Sequence, residues 1–124
     1  MKLNHANLPV PDVPALRDFF VQYFHFTVLA APAPDKFVVL RDDAGFILNL
    51  MQAKESPEES GYPRNFHIGF FVDTPEQVRA QYAALNAAGI RTGDMEELRR
   101  GGFSSVTFYC HAPGGLLVEV SSQS

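Results

Sequence analysis

Three short stretches of the chain share one hydropathy pattern. Residues 3–8, 66–72 and 116–120 read as strands, and each sets one ionisable side chain in an apolar run: His5, His67 and Glu119. In residues 3–10, Leu3, His5 and Asn7 take one face while Ala6, Leu8 and Val10 take the other. Pro9 and Pro11 end that strand. Asp12 is a good N-cap with Pro14 in the first turn, and the helix that follows runs to about Phe24, burying Leu16, Phe19, Phe20 and Tyr23 at helical spacing. Residues 26–29 predict a second strand, 30–34 a loop, 37–40 a third strand, 42–45 a hairpin turn and 46–52 a fourth strand.

Residues 53–65 are polar and rich in turn formers. They separate two halves and are the candidate for a mobile loop over a site. The second half starts with a strand over 66–72. Thr74, Pro75 and Gln77 then form a capping box with Pro at the first helical position, Val78, Tyr82 and Leu85 follow at helical spacing, and Gly89 stops the helix. Residues 90–92 begin a short strand, 96–102 form a charged loop, 105–110 a strand, 112–115 a turn and 116–121 the last strand. The order is strand, helix and three strands, twice over. This is an α+β chain: a first module at about 1–52, a linker at about 53–65 and a second module at about 66–122.

The halves match residue by residue. His5 stands seven residues before the cap Asp12, and His67 stands seven before the cap Thr74. Residues 47–50 correspond to 117–120, so Asn49 is the counterpart of Glu119. Such a repeat predicts a pseudo-twofold arrangement on which His5, Asn49, His67 and Glu119 converge. Parity supports it. These four share their faces with Leu3, Asn7, Ile47, Met51, Gly69, Phe71, Leu117 and Ser121, a mixed set suited to lining a cup. The opposite faces are uniformly apolar and should pack on the helices. Two imidazoles and one carboxylate suit a divalent metal with open positions for water or substrate.

Composition narrows the class. The 124 residues carry a net charge of −4 and no basic stripe, which argues against nucleic acid. One cysteine forms no internal disulfide and fits a reducing cytosol. No apolar run approaches a membrane span, and no signal peptide is read, so the expected location is the cytoplasm. Eleven Phe and no Trp supply bulk to the core.

With the paired modules, His5, His67 and the segment running from Phe108 through His111, Ala112, Pro113 and Gly115 to Glu119, the chain resembles the vicinal oxygen chelate superfamily. That group includes glyoxalase I, methylmalonyl-CoA epimerase, extradiol dioxygenases, fosfomycin-resistance transferases and bleomycin-resistance proteins. Ala112 replaces the usual Asp of the hairpin. The resemblance implies two βαβββ modules whose cupped mixed sheets carry helices on the outer face. It implies metal ligands His5, His67 and Glu119 for a divalent ion (Fe, Mn, Zn or Ni). It also implies a homodimer in which His5 of one chain meets His67 and Glu119 of the other.

Within this resemblance the departures matter. Glyoxalase I and the epimerase place Glu or Gln where this chain has Asn49. The extradiol enzymes carry a Tyr ten positions before the Glu, matched by Tyr109, but their upstream His is absent from residues 99–103. The fosfomycin enzymes have a Thr where this chain has Asn7. The implied function is a metal-dependent enzyme of glyoxalase-like isomerase or lyase type acting on a small oxygen-chelating substrate. The alternatives are an extradiol-type dioxygenase and a non-catalytic binder of the bleomycin-resistance type. Glu119 and Tyr109 are the catalytic candidates, and Asn7, Asn49, Met51, Phe71 and Tyr109 the substrate contacts. His25 reads as a helix-end residue, His111 as a solvated turn residue, Cys110 as a buried small hydrophobe, and Arg64, Arg99 and Arg100 as surface charges.

Overall fold

A computed structural model describes residues 1–53, 62–100 and 102–123. The chain divides into two compact units, Met1–Gly61 and Tyr62–Ser124.

The first unit contains β1 (His5–Val10), α1 (Val13–Phe24), β2 (Thr27–Ala33), β3 (Phe37–Arg41) and β4 (Ile47–Gln52). Its sheet runs β1-β4-β3-β2, with β1 parallel to β4 and the other pairs antiparallel. A parallel pair needs a long crossover, and α1 lies within it. Asp12 caps α1 by accepting from the Ala15 N–H at 3.1 Å. The helix ends at His25, whose φ of 61° is left-handed, and the Phe26 N–H donates to the Phe20 carbonyl at 3.2 Å. Val13, Leu16, Phe19 and Phe20 are buried with Leu8, Val10, Val38, Leu40, Leu48 and Leu50 from the sheet. The Phe20 ring meets Phe19 and Phe26 edge-on at 5.3 and 5.4 Å.

One expectation is corrected in this unit. Residues 30–34 read as a loop because of Pro32 and Pro34, yet β2 continues to Ala33. It is the outer strand of the sheet, with register shifts between Val28 and Ala30 and between Ala30 and Ala33. At an edge, a missing N–H costs no ladder bond.

The second unit repeats the order: β5 (His67–Val72), α2 (Pro75–Ala87), β6 (Glu96–Arg100), β7 (Phe103–His111) and β8 (Leu117–Gln123), arranged β5-β8-β7-β6. Again the first and last strands are parallel. The capping box is complete: Thr74 Oγ1 accepts from the Gln77 N–H at 3.2 Å, and Gln77 Oε1 accepts from the Thr74 N–H at 3.0 Å. Gly89, at φ 81°, follows the helix and lets the Ile90 N–H reach the Leu85 carbonyl at 2.9 Å. Val78 and Leu85 are buried, and Tyr82 meets Phe108 edge-on at 5.1 Å.

Three more expectations change. Residues 90–92 make no strand, only a single bridge between Thr92 and Cys110. Residues 96–100 are not a loop but the outer strand β6, where Glu96, Glu97 and Arg99 are exposed and Arg79 donates to Glu97 at 3.3 Å. His111 is the last residue of β7 rather than a turn residue. The turn is the short 3₁₀ segment Pro113–Gly115, with Gly114 and Gly115 at φ 79° and 82°. Most of the expected mobile loop, residues 54–61, lies outside the described residues. Among those described, no helix is long and apolar enough to cross a membrane.

Cys110 is fully buried, and burial pushes its thiol from 9.0 up to about 11. The native protein should therefore resist thiol-alkylating reagents at pH 8 and react only when unfolded. Because the neutral thiol is the favoured form in the fold, its contribution to stability is intact below pH 9 and falls as pH rises towards about 11. Mass spectrometry of native and denatured samples checks the labelling; rapid native modification would contradict the burial.

Candidate functional site

The strand registers lay out each cup as a lattice of rows. In the first unit, one row runs His5, Ile47, Arg41, Thr27 and the next runs Asn7, Asn49, Val39. In the second, the corresponding rows are His67, Leu117, His111 and then Gly69, Glu119, Tyr109. The duplicated positions thus align, but their chemistry differs. Where the second unit has Tyr109 and Glu119, the first has Val39 and Asn49. A further row pairs Pro9 with Met51 in one unit and Phe71 with Ser121 in the other, with Phe71 74% exposed.

His67 and Glu119 meet: Nε2 stands 3.2 Å from Oε1. They come from adjacent parallel strands and are offset by one row. On the other side of the ring, His67 Nδ1 lies 3.1 Å from the Asn65 carbonyl oxygen. A carbonyl only accepts, so Nδ1 carries the proton in that contact. If the ring is neutral with its proton on Nδ1, Nε2 turns a bare lone pair to the carboxylate oxygen and a cation between them makes the approach favourable; with the proton on Nε2, the ring donates to Glu119 instead. A proton is one such cation and a metal ion is another. Tyr109 stacks edge-on against the same imidazole at 5.3 Å and is Glu119's partner across β7 and β8. Its phenol is held above the usual range by partial burial first, and then by the charges of Glu119 and Glu96. The hydroxyl is therefore a proton donor at neutral pH.

In the first unit, His5 Nδ1 is 2.8 Å from Asn4 Oδ1, so its Nε2 is likewise left open. Asn7 donates to the Met51 sulfur at 3.2 Å, an exposed polar pair on the cup face. Among the described residues, no three His, Cys, Asp or Glu side chains gather closely enough to hold an ion. The His67–Glu119 pair nevertheless fits one. Donors bound at about 2.1 Å with tetrahedral or octahedral angles stand roughly 3.0–3.4 Å apart, which spans the observed separation. Both imidazoles have Nδ1 tied to an oxygen, the usual support that turns the other nitrogen to a metal.

Two contributors lie outside the residues that sequence reasoning picks for the site. Asn65 falls in the expected linker, where Pro63 and Asn65 are turn-favouring residues. Gly69 reads from the sequence only as a lining position. A Cβ there would stand 3.3 Å from Glu119 Oε1 and 3.4 Å from its Cβ, so the missing side chain gives the carboxylate room.

The model of the Glyoxalase/Bleomycin resistance protein/Dioxygenase superfamily matches residues 2–120. The chain belongs to that superfamily. Superfamily likeness extends to solved structures. A possible glyoxalase from Bacillus cereus is 38% identical over 97% of both chains, with a TM-score of 0.77. Lactoylglutathione lyase from Agrobacterium tumefaciens (18% identical, 98% of this chain and 92% of that one, TM-score 0.76) shares the fold. So does a fosfomycin resistance protein from Listeria monocytogenes (19%, 98% and 93%, TM-score 0.77). No curated protein matches the chain.

Gly69 has no left-handed φ, so alanine suits its backbone and the cost falls on Glu119. Gly69→Ala is expected to leave the melting temperature within a few degrees and, if the His67–Glu119 pair holds a divalent ion, to weaken its binding by roughly three- to tenfold. Isothermal titration with Ni²⁺ or Zn²⁺ on both proteins reads this, and equal affinities would show that the carboxylate does not need the space.

Proposed function

We propose that this superfamily member is a divalent-metal-dependent enzyme of the glyoxalase-like type, acting on a small substrate that offers two neighbouring oxygens. The observation that carries this reading is the contact of His67 Nε2 with Glu119 Oε1 at 3.2 Å, with Nδ1 already committed to a carbonyl. His5, His67 and Glu119 are the proposed ligands, with Fe, Mn, Zn and Ni as candidate ions. A bound ion would act as a Lewis acid on the substrate oxygens, lowering the cost of the negative charge that develops when a proton leaves the adjacent carbon.

The chain's own groups do the rest. Glu119 takes or returns the proton. The Tyr109 hydroxyl, kept protonated, donates to a substrate oxygen. Asn7, Asn49, Met51 and Phe71 line the cup and orient the substrate. Asn49 accepts and donates hydrogen bonds but is no base at neutral pH, so proton transfer falls to the Glu119 side. This is isomerase or lyase chemistry. The T-shaped contact of Tyr109 with His67 is the feature that favours the second reading, an extradiol-type dioxygenase. The protein is proposed to work in the cytoplasm as a homodimer, with His5 of one protomer completing the site of the other.

Protein purified without chelator is expected to contain, or take up, about one divalent ion per chain by elemental analysis, and His67→Ala to abolish uptake. Unchanged uptake by that variant would reject the site, and a wild-type protein that binds none of Fe(II), Mn, Zn or Ni would leave a binding protein without turnover. Mixing His5→Ala and His67→Ala chains tests the sharing of ligands. A shared site is restored in the mixed dimer, because one of its two sites keeps every ligand; sites held within one chain give no recovery.

A further inference from the structure

Among the described residues of β1, β3 and β4, the cup face of the first sheet carries a single fixed charge, Arg41. Exposure along β3 alternates, with Val38 and Leu40 buried on the helix side and Arg41 exposed on the other. Its backbone is fixed from both flanks. Arg41 pairs with Ile47 of β4 and Thr27 of β2, and Thr27 Oγ1 donates to its carbonyl at 3.4 Å. The adjacent acid is engaged elsewhere: Asp42 Oδ1 accepts from the Ala44 and Phe46 N–H groups at 2.9 and 2.8 Å, closing the turn. Among the described residues no carboxylate forms an ion pair with the Arg41 guanidinium. Ile47 separates Arg41 from His5 in one row, so their Cα atoms stand roughly 10 Å apart, two strand spacings. The cup face of the second sheet differs, because it carries the carboxylates of Glu119 and Glu96. A chain of net charge −4 thus keeps one sheet face free of acids around a cation.

We propose that Arg41 is a specificity-determining residue that receives a carboxylate of the ligand, so that the substrate class of the reaction proposed above is a small acid whose carboxylate lies a few bonds from its two chelating oxygens. The planar guanidinium offers paired N–H donors that match the two oxygens of a carboxylate. Repulsion is absent on this face and present on that of the second sheet, so an anionic group is directed to the first. Asn49, one row along, adds an amide and no charge. The acid as substrate rests on the metal-dependent reading; the anion contact at Arg41 does not.

Two measurements separate these parts. In metal-free protein with ¹⁵N-labelled arginine, titrated with succinate at constant ionic strength, the Arg41 Nε–H signal is expected to shift at about fivefold lower concentration than that of Arg91, an exposed arginine outside both sheets. Ni²⁺-loaded protein is then titrated calorimetrically with acetohydroxamate and with succinate monohydroxamate, which share a two-oxygen chelating group and differ in the carboxylate. Wild type is expected to bind the second about five- to tenfold more tightly. Arg41→Gln is expected to bind both alike, with acetohydroxamate within about twofold of wild type, and Arg41→Lys to keep about a threefold preference, because it retains the charge without the fork. Arg41 is exposed, so both variants should fold, and circular dichroism checks it. An Arg41 signal that responds no earlier than that of Arg91, a loaded wild type that binds both hydroxamates alike, or a preference that survives Arg41→Gln overturns the assignment. Protein that takes up no Ni²⁺ while its Arg41 signal responds first would reject the metal-dependent reading and leave Arg41 as the anion contact of a binding protein.

Discussion

Parallel pairing of the first and last strand in each unit is the constraint on which the rest depends. Such a pair cannot be closed by a tight turn, so each unit uses a helix and two further strands for the return. That return places α1 against its own sheet, gives each sheet one apolar and one mixed face, and sets residues far apart in sequence side by side. Gly69 lies beside Glu119 only because β5 and β8 run together. Moving that register by one residue would turn Glu119 to the helix side, where a carboxylate has no water and no partner, and would turn Val118 and Val120 out of the core.

Duplication gives the two cups the same lattice without the same chemistry. Val39 and Asn49 occupy in one unit the places of Tyr109 and Glu119 in the other. The ionisable groups therefore concentrate in the second unit, where the phenol, the imidazole and the carboxylate influence one another. In the first unit, His5 bonds the neutral amide of Asn4 and shares its row with Ile47, Arg41 and Thr27, with no carboxylate among them. A duplicated scaffold can hold its geometry while one copy specialises, because geometry comes from the apolar face and chemistry from the mixed one.

The elements legible in the sequence are those with strong local signals. Asp12, Pro14 and the spacing of Leu16, Phe19 and Phe20 mark α1; Thr74, Pro75 and Gln77 mark α2; strict alternation marks β1, β4, β5 and β8. The pairing of equivalent positions is legible too, because the repeat preserves distances to the caps. The failures have a common cause. Residues 30–33 and 96–100 carry proline or dense charge, which local rules assign to loops, and only the neighbouring strand makes them strands. Asn65 and Gly69 stay hidden for a related reason: one acts through its backbone and the other through an absent side chain, and neither role shows in a search for reactive groups.

The two stretches that look like loops also guard the sheets. β2 and β6 are outer strands, where unpaired N–H and C=O groups invite a strand from another molecule. β2 answers with Pro32 and a slipped register, and β6 with Glu96, Glu97 and Arg99. The features that disguise them as loops also make them poor templates for a foreign strand. Local disagreement between residue type and secondary structure serves this protein as a barrier to sheet-to-sheet aggregation.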